Sequence, residues 1–422
     1  MAAMRRRFMS VGEVVRKDPV LAVALVLAVL SCAAVPLDAA YLGYVDLRTI
    51  GMLFSLMAVM AGLSRLGVFS AACRGLLAVA RGPRRLCLAL TLLAFFSSML
   101  ITNDVALVTF VPLALLALGA LGSARLTCFT VVMMTIAANL GSMFTPVGNP
   151  QNLYLYSASH MKLTDFLLLM LPYTLGALAL LVAAVAVFGR DGGAANGAGR
   201  GVVSSDADEG AVCAKTNGSV GSADANGGAA LVNVASDART VGAPHIALAR
   251  TLPWLAVFVC ALFSVARVLP FEVTVVAALV VGLAVDRGAL AHVDYALLVT
   301  FVAFFVFVGN MGRIEPVNAF IAQTVNGHEL TVAVGASQVL SNVPAAILLS
   351  GFTNDWSALI VGTNVGGLGT LIASMASLIS YKQIALVLPR EKGRYFALFT
   401  AWNVVFLVAL LALHVVLGLV AS

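Results

Sequence analysis

Apolar runs approaching twenty residues recur along this chain, as in Val20 to Val35, Phe166 to Phe188 and Phe396 to Val420. A helix needs about 20 such residues to cross the hydrocarbon core of a bilayer. With 61% hydrophobic residues, 10% charged and a mean hydropathy of +1.02, they cannot all be hidden inside a water-soluble core. The expected fold is an all-α polytopic membrane protein with about 9–11 transmembrane segments.

The net charge of +6 does not point to nucleic acid, because the cations sit beside apolar runs. Arg5, Arg6, Arg7, Arg16 and Lys17 precede the first run, and Arg74, Arg81, Arg84 and Arg85 follow the second. Positive charge of this kind marks cytoplasmic segments. The six cysteines (32, 73, 87, 128, 213, 260) lie mostly in apolar runs without CxxC spacing, and read as small core residues, neither disulfides nor metal ligands. The basic start followed by "VLSCAA" resembles a signal peptide, but the run is long enough to stay as a helix and many spans follow.

From Gly189 to about Pro244 the composition shifts to Gly, Ala, Ser, Asp and Asn, as a flexible linker does. The expected organisation is a cytoplasmic basic tail (1–18), a first transmembrane repeat (19–188), a flexible cytoplasmic linker (189–250), an extra transmembrane helix (251–268) and a second repeat (269–422). The "NGS" at Asn217 is a sequon that a cytoplasmic linker would leave unmodified.

A shift of 225 positions lays "ANLGSMFTPVGNPQNLYLY" over "TNVGGLGTLIASMASLISY", so that Asn139 meets Asn364, Gly141 meets Gly366 and Thr145 meets Thr370. Upstream, "LITNDVAL" and "VLSNVPAA" match with Asn103 over Asn342. An internal repeat follows, and the extra helix inverts its second copy. The second "TND", Thr353 to Asp355, has no "NxG" element at the matching distance. Counting spans from the basic tail puts the N terminus and linker in the cytoplasm and the C terminus outside, in the plasma membrane. Leu330 to Leu340 and Ala345 to Phe352, separated by "SNVP", are each too short to span and read as a re-entrant hairpin. Its counterpart at 86–122 is long enough to be re-entrant or to cross twice, with the same topology.

"AANLGSMFTPVGNPQNLYLYS", Ala137 to Ser157, places Pro146, Gly148 and Pro150 where a membrane helix belongs. Unpaired backbone groups cost several kcal/mol each in hydrocarbon, so such a break persists where it is buried or lines a polar cavity. Half-helix N-termini attract anions and C-terminal carbonyls attract cations. Asn139, Asn149, Gln151, Asn152, Ser142 and Thr145 add neutral ligands, and the second repeat offers Thr363, Asn364, Thr370, Ser374 and Ser377. Gly148, Gly366, Gly367 and Gly369 let the backbone approach a ligand. Small-residue helix packing is the bland alternative for any one of these positions.

"ITNDVAL", "GNPQN", "SNVPAA" and "TNVGGLGT" resemble the paired signature elements of the ion transporter superfamily, which includes citrate-transporter-like permeases, divalent anion/sodium symporters, arsenite permeases and a branch of sodium/proton antiporters. The resemblance implies two inverted repeats with re-entrant hairpins and broken helices, substrate held between hairpin tips, and elevator-type movement in a homodimer. The hairpin tips of the divalent-anion symporters fall on Thr102, Asn103, Asp104 and on Ser341, Asn342, Val343, departing at the third position in both. Sodium, the one ion expected besides substrate, would sit at Asn103 and Asn342; no other cofactor is implied.

No Lys or Arg lies in the motif segments, and Asp104 is their only acid. An ionised carboxylate at membrane depth needs a cation or a proton, unless it merely caps a helix in a wet vestibule. The leading expectation is a secondary active transporter of a small anion such as citrate, coupled to sodium or protons. A sodium/proton antiporter or an arsenite or oxyanion exporter is the alternative. Neither a P-loop nor HExxH or GxSxG occurs, and the five histidines (160, 245, 292, 328, 414) are scattered, which disfavours an ATP-driven pump or an intramembrane enzyme.

Overall fold

The computed structural model describes residues 19–79, 82–119, 122–188 and 248–421. The basic tail (1–18) and residues 189–247 of the linker lie outside the described residues. All regular structure among the described residues is helical.

In chain order the helices are α1 (Pro19–Ala34), α2 (Tyr41–Tyr44), α3 (Leu47–Arg65), α4 (Val68–Val79), α5 (Pro83–Ser97), α6 (Asn103–Gly119), α7 (Ala124–Ser142), α8 (Pro150–Ala158) and α9 (Leu163–Phe188). After the linker come α10 (Leu248–Val265), α11 (Phe271–Ala284), α12 (Arg287–Ala291), α13 (Tyr295–Arg313), α14 (Glu315–Val325), α15 (Glu329–Leu340), α16 (Asn342–Ser350), α17 (Trp356–Val365), α18 (Met375–Val387) and α19 (Lys392–Ala421). Among the described residues six spans are long and apolar enough to cross a membrane: Leu47–Arg65, Ala124–Ser142, Leu163–Phe188, Leu248–Val265, Tyr295–Arg313 and Pro389–Val420. The chain is an all-α polytopic membrane protein.

The helices sort into two packed groups. In one, α1 packs on α13, α3 on α11, and α10 on both α3 and α11. Gly62 makes the α3–α10 contact: a Cβ there would run into the indole of the fully buried Trp254. Close approach through a small residue is how membrane helices gain dispersion contacts without a hydrophobic driving force. Arg48 donates to the Ser264 carbonyl (3.2 Å) at one end of this group, where Arg313 also meets Asp38 (2.7 Å). Arg65 meets Asp286 (2.6 Å) at the other end.

In the second group α5 and α6 pack on α7, α15 and α16 on α17, and the halves interlock through α6 on α18 and α16 on α8. Helices α9 and α19 cover α7, each with one apolar face outward. Helix starts carry polar caps: the Asp46, Asp294 and Asp355 carboxylates accept from Thr49 N, Leu297 N and Ala358 N at 2.9–3.1 Å, and Ser123 Oγ accepts from Leu126 N at 3.3 Å. Asp355 belongs to the second "TND", whose Thr353 hydroxyl donates to the Glu329 carboxylate (3.2 Å), so that motif fixes the base of the α15–α16 hairpin.

Candidate functional site

Each half contains a hairpin, α5–α6 or α15–α16, set against a helix interrupted by Gly and Pro or by Gly alone: α7–α8 around 143–149 and α17–α18 around 366–374. Three hydrogen bonds correspond between the two arrangements. Asn103 N donates to the Gly148 carbonyl (3.2 Å), and Asn342 N to the Ala373 carbonyl (3.0 Å). Thr145 Oγ1 donates to the Met99 carbonyl, and Thr370 Oγ1 to the Gln338 carbonyl (3.0 Å). Gly148 N and Ala373 N then donate to those threonine hydroxyls at 3.1 and 3.2 Å. Each tip is thus hung on the interrupted helix by its first backbone N–H and one threonine. The bonds answer what a break in a membrane helix demands, since each freed backbone group needs a partner.

The asparagines cross between halves. Asn139 Oδ1 accepts from Asn103 Nδ2 (3.1 Å) and from Ser374 Oγ of the other half (2.9 Å), and Asn139 Nδ2 donates to Ser377 Oγ (3.4 Å). Asn364 Nδ2 donates to Asn152 Oδ1 (2.6 Å) and to the Ile360 carbonyl, while Asn149 Nδ2 donates to Asn364 Oδ1 (3.4 Å). The same shift of 225 positions maps Asn149 and Asn152 onto Ser374 and Ser377, so each central Asn reaches the matching pair of the opposite half. Asn103 and Asn342 are joined through this net by Asn139, Ser374 and Ala373. All these side chains are buried.

Asp104 is different. It stands in the first turn of α6, where Asn103 Oδ1 accepts its backbone N–H (2.9 Å), yet its own Oδ1 is buried with no hydrogen-bond partner among the described residues. It lines a cavity of about 420 Å³ together with Thr102, Asn149 and Asp294, with Arg65 and His292 also in the wall. Most of the remaining wall is apolar, including Leu53, Met60, Val105 and Met375. A second cavity of about 320 Å³, walled by Asp46, Arg48, Ser157 and His160, lies at the opposite ends of α3 and α8. Tyr154 bounds that cavity; its ring packs on Phe301 and Phe305, and its hydroxyl shares a hydrogen bond with Ser350 Oγ (2.6 Å).

The other sequence candidates take varied places. Gly141 and Gly148 are close-approach positions, where a Cβ would run into the Phe95 and Ser142 carbonyl oxygens. Gly366 faces Ser337 Oγ, Gly369 holds φ +109°, and Thr363 bonds its own helix at Leu359. Ser341, also left-handed (φ 77°), donates to Asn342 Oδ1 (3.4 Å). Gln151 Nε2 is buried without a partner among the described residues. Sequence reasoning missed Gln338, whose amide reaches three groups of the second break; its signal is an amide three residues before a hairpin tip in an otherwise apolar half-helix.

Residues 9–355 match the citrate transporter family. The chain is 26% identical over 315 residues to an uncharacterized transporter of Methanocaldococcus jannaschii, covering 72% of this chain and 73% of that one. To the inner membrane protein YbiR of Escherichia coli it is 27% identical over 346 residues, 80% of each chain. A shorter match, 33% over 136 residues, links 32% of the chain to 28% of the silicon efflux transporter LSI3 of Oryza sativa subsp. japonica. With broken helices, cross-bonded asparagines and a match over most of its length, the chain belongs to the citrate transporter family and is a membrane transporter.

Proposed function

We propose that this transporter is a secondary carrier of a small anion, citrate- or dicarboxylate-like, coupled to protons or sodium, with Asp104 taking up the coupling cation. One observation carries the reading: a carboxylate with an unpartnered oxygen stands on the wall of a cavity beside a buried net of amides and hydroxyls. An unneutralised acid there would repel an anion, so cation or proton must arrive first, and that order couples the two fluxes. Substrate is then held by Thr102, Asn103, Asn149, Ser341, Asn342 and their neighbours, with sodium, if it is the driving ion, near Asn103 and Asn342.

In this reading the two repeats are inverted and move as an elevator within a homodimer in the plasma membrane. The N terminus and linker are cytoplasmic, which puts the Arg65–Asp286 end inside and makes the Asp104 cavity an inner vestibule. Purified protein in liposomes should accumulate one member of a panel of carboxylates when a pH or sodium gradient is imposed. The absence of gradient-driven uptake of any of them would refute the anion symporter.

A second reading has its own support. No Lys or Arg belongs to the amide net, and the Asp104 cavity is largely apolar, which suits an uncharged hydroxylated oxyacid better than a multivalent anion. Similarity to a silicon efflux transporter points the same way. Vesicles loaded with silicic acid or arsenite, and extruding it against a proton gradient, would favour that exporter; ion exchange with no substrate would favour an antiporter.

A further inference from the structure

We infer that Asn152 and Gln338 are built-in substitutes for a cation: each fills, with its amide NH₂, the carbonyl cage that a broken helix leaves. The last carbonyls of a helix have no intrahelical partner and carry the negative end of the helix dipole. In transporters of this kind such ends hold sodium or a proton. Here the Ser142, Met143 and Thr145 carbonyls converge on Asn152 Nδ2 at 3.2–3.4 Å. In the other half Gly366 and Leu368 carbonyls converge on Gln338 Nε2 at 2.8 and 2.9 Å, with Val334 O at 3.2 Å.

Both amides are fixed in orientation by a second bond. Asn152 Oδ1 accepts from Asn364 Nδ2 (2.6 Å), and Gln338 Oε1 accepts from Thr370 N (2.9 Å). A flipped amide would set oxygen against two or three carbonyl oxygens and lose the second bond as well. The two plugs are not repeat partners, for the shifts of 225 and 239 positions place Ser377 and Met99 at the matching sites, and neither side chain carries an NH₂. Each half thus reaches the same electrostatic result by a different residue. The loops at 143–149 and 366–373 hold their shape without a bound metal ion, and the cation that drives transport binds outside these two carbonyl cages, at Asp104 or the hairpin tips in the reading above.

Hydrogen exchange of the full chain in lipid nanodiscs tests this without any substrate, so its failure is separable from failure of the transport assay. Exchange in peptides covering 143–149 and 366–373 should be equal in sodium chloride and in choline chloride of the same ionic strength; slower exchange in sodium for either loop would overturn the inference. Gln338→Met should speed exchange of 366–373 roughly tenfold while leaving 143–149 within about twofold, and Asn152→Ser should do the reverse. No change, or a rise in both loops together, would show that the amides are not local plugs. The wild-type comparison stands even if a variant does not fold.

Discussion

In the first half the broken helix is closed from within, by Asn152 of its own second segment, whereas in the second half it is closed from outside, by Gln338 of the hairpin. The tips differ as well: Asp104 follows Asn103, and Val343 follows Asn342. Beneath both differences lies a shared frame of one backbone N–H on a loop carbonyl and one threonine hydroxyl on a hairpin carbonyl. The frame is duplicated because each break frees backbone groups that hydrocarbon cannot satisfy. Charge is not duplicated: Val343 stands where the first half has Asp104, and a second acid would add another costly buried group.

The largest expected effect compares two glycines that the repeat superposes. A Cβ at Gly141 meets the backbone oxygen of Phe95, which cannot move without shifting α5, while at Gly366 it meets Ser337 Oγ (2.8 Å) and the Gly362 carbonyl (2.7 Å). Gly141→Ala should cost about 3 kcal/mol or more and abolish a monodisperse peak in detergent. Gly366→Ala should leave folded protein with a lowered melting temperature. Equal behaviour of the two would break the comparison.

Next comes the acid without a counterpart. Asp104→Asn should fold, exchange substrate at equal ion concentrations, and lose gradient-driven accumulation almost completely. Counterflow and driven uptake measured on the same vesicles decide it. If driven uptake survives, Asp104 is structural and the coupling ion rests on the neutral groups around Asn103, Asn149, Asn342 and Asn364.

A smaller difference is expected between the two central asparagines. Removing Asn139 strands Asn103 Nδ2 and Ser374 Oγ, whereas removing Asn364 strands Asn152 Oδ1 and leaves Asn149 Nδ2 bonded to Ser142 Oγ (3.1 Å). Asn139→Ala should therefore cost about 2 kcal/mol and Asn364→Ala about 1, from thermal inactivation in one detergent. The opposite ranking would mean that the second half carries the junction between the two.

Much of this frame was legible in the sequence. Apolar runs, Asn-centred motifs and the shift of 225 positions required no geometry, because period and composition encode membrane depth and duplication directly. Tertiary partners were not legible. Nothing in "ASQVL" says that Gln338 reaches the 366–370 loop, since its partners are backbone carbonyls about thirty residues away, which carry no residue-type signal. Likewise the sequence offers Asp104 as a helix-capping residue, but α6 is not capped by it: Asn103 Oδ1 accepts the first-turn N–H instead.

The smallest effect sits at the two ends of the first helix group, each tied by one Arg–Asp pair: Arg65 with Asp286 and Arg313 with Asp38. The Arg65 guanidinium lowers the Asp286 carboxyl below its usual range, and the Arg313 guanidinium does the same for Asp38. A carboxylate whose folded pKa is depressed binds fewer protons folded than unfolded over the intervening pH. Its contribution is therefore complete above about pH 4–5 and disappears as pH falls through the lowered value. Solvent screens both pairs, so Asp286→Asn should lower stability at neutral pH by well under about 1 kcal/mol. Melting curves of wild type and Asp286→Asn should differ slightly at pH 7 and converge below about pH 3, and added salt should shrink the neutral-pH gap. The Asp38 end has a second tie, Arg313 Nη1 donating to the Tyr44 hydroxyl (3.2 Å), so Asp38→Asn should show the smaller shift. A shift that grows as pH falls would mean that these carboxyls are stabilised in their protonated form, and the assignment of the pairs would be wrong.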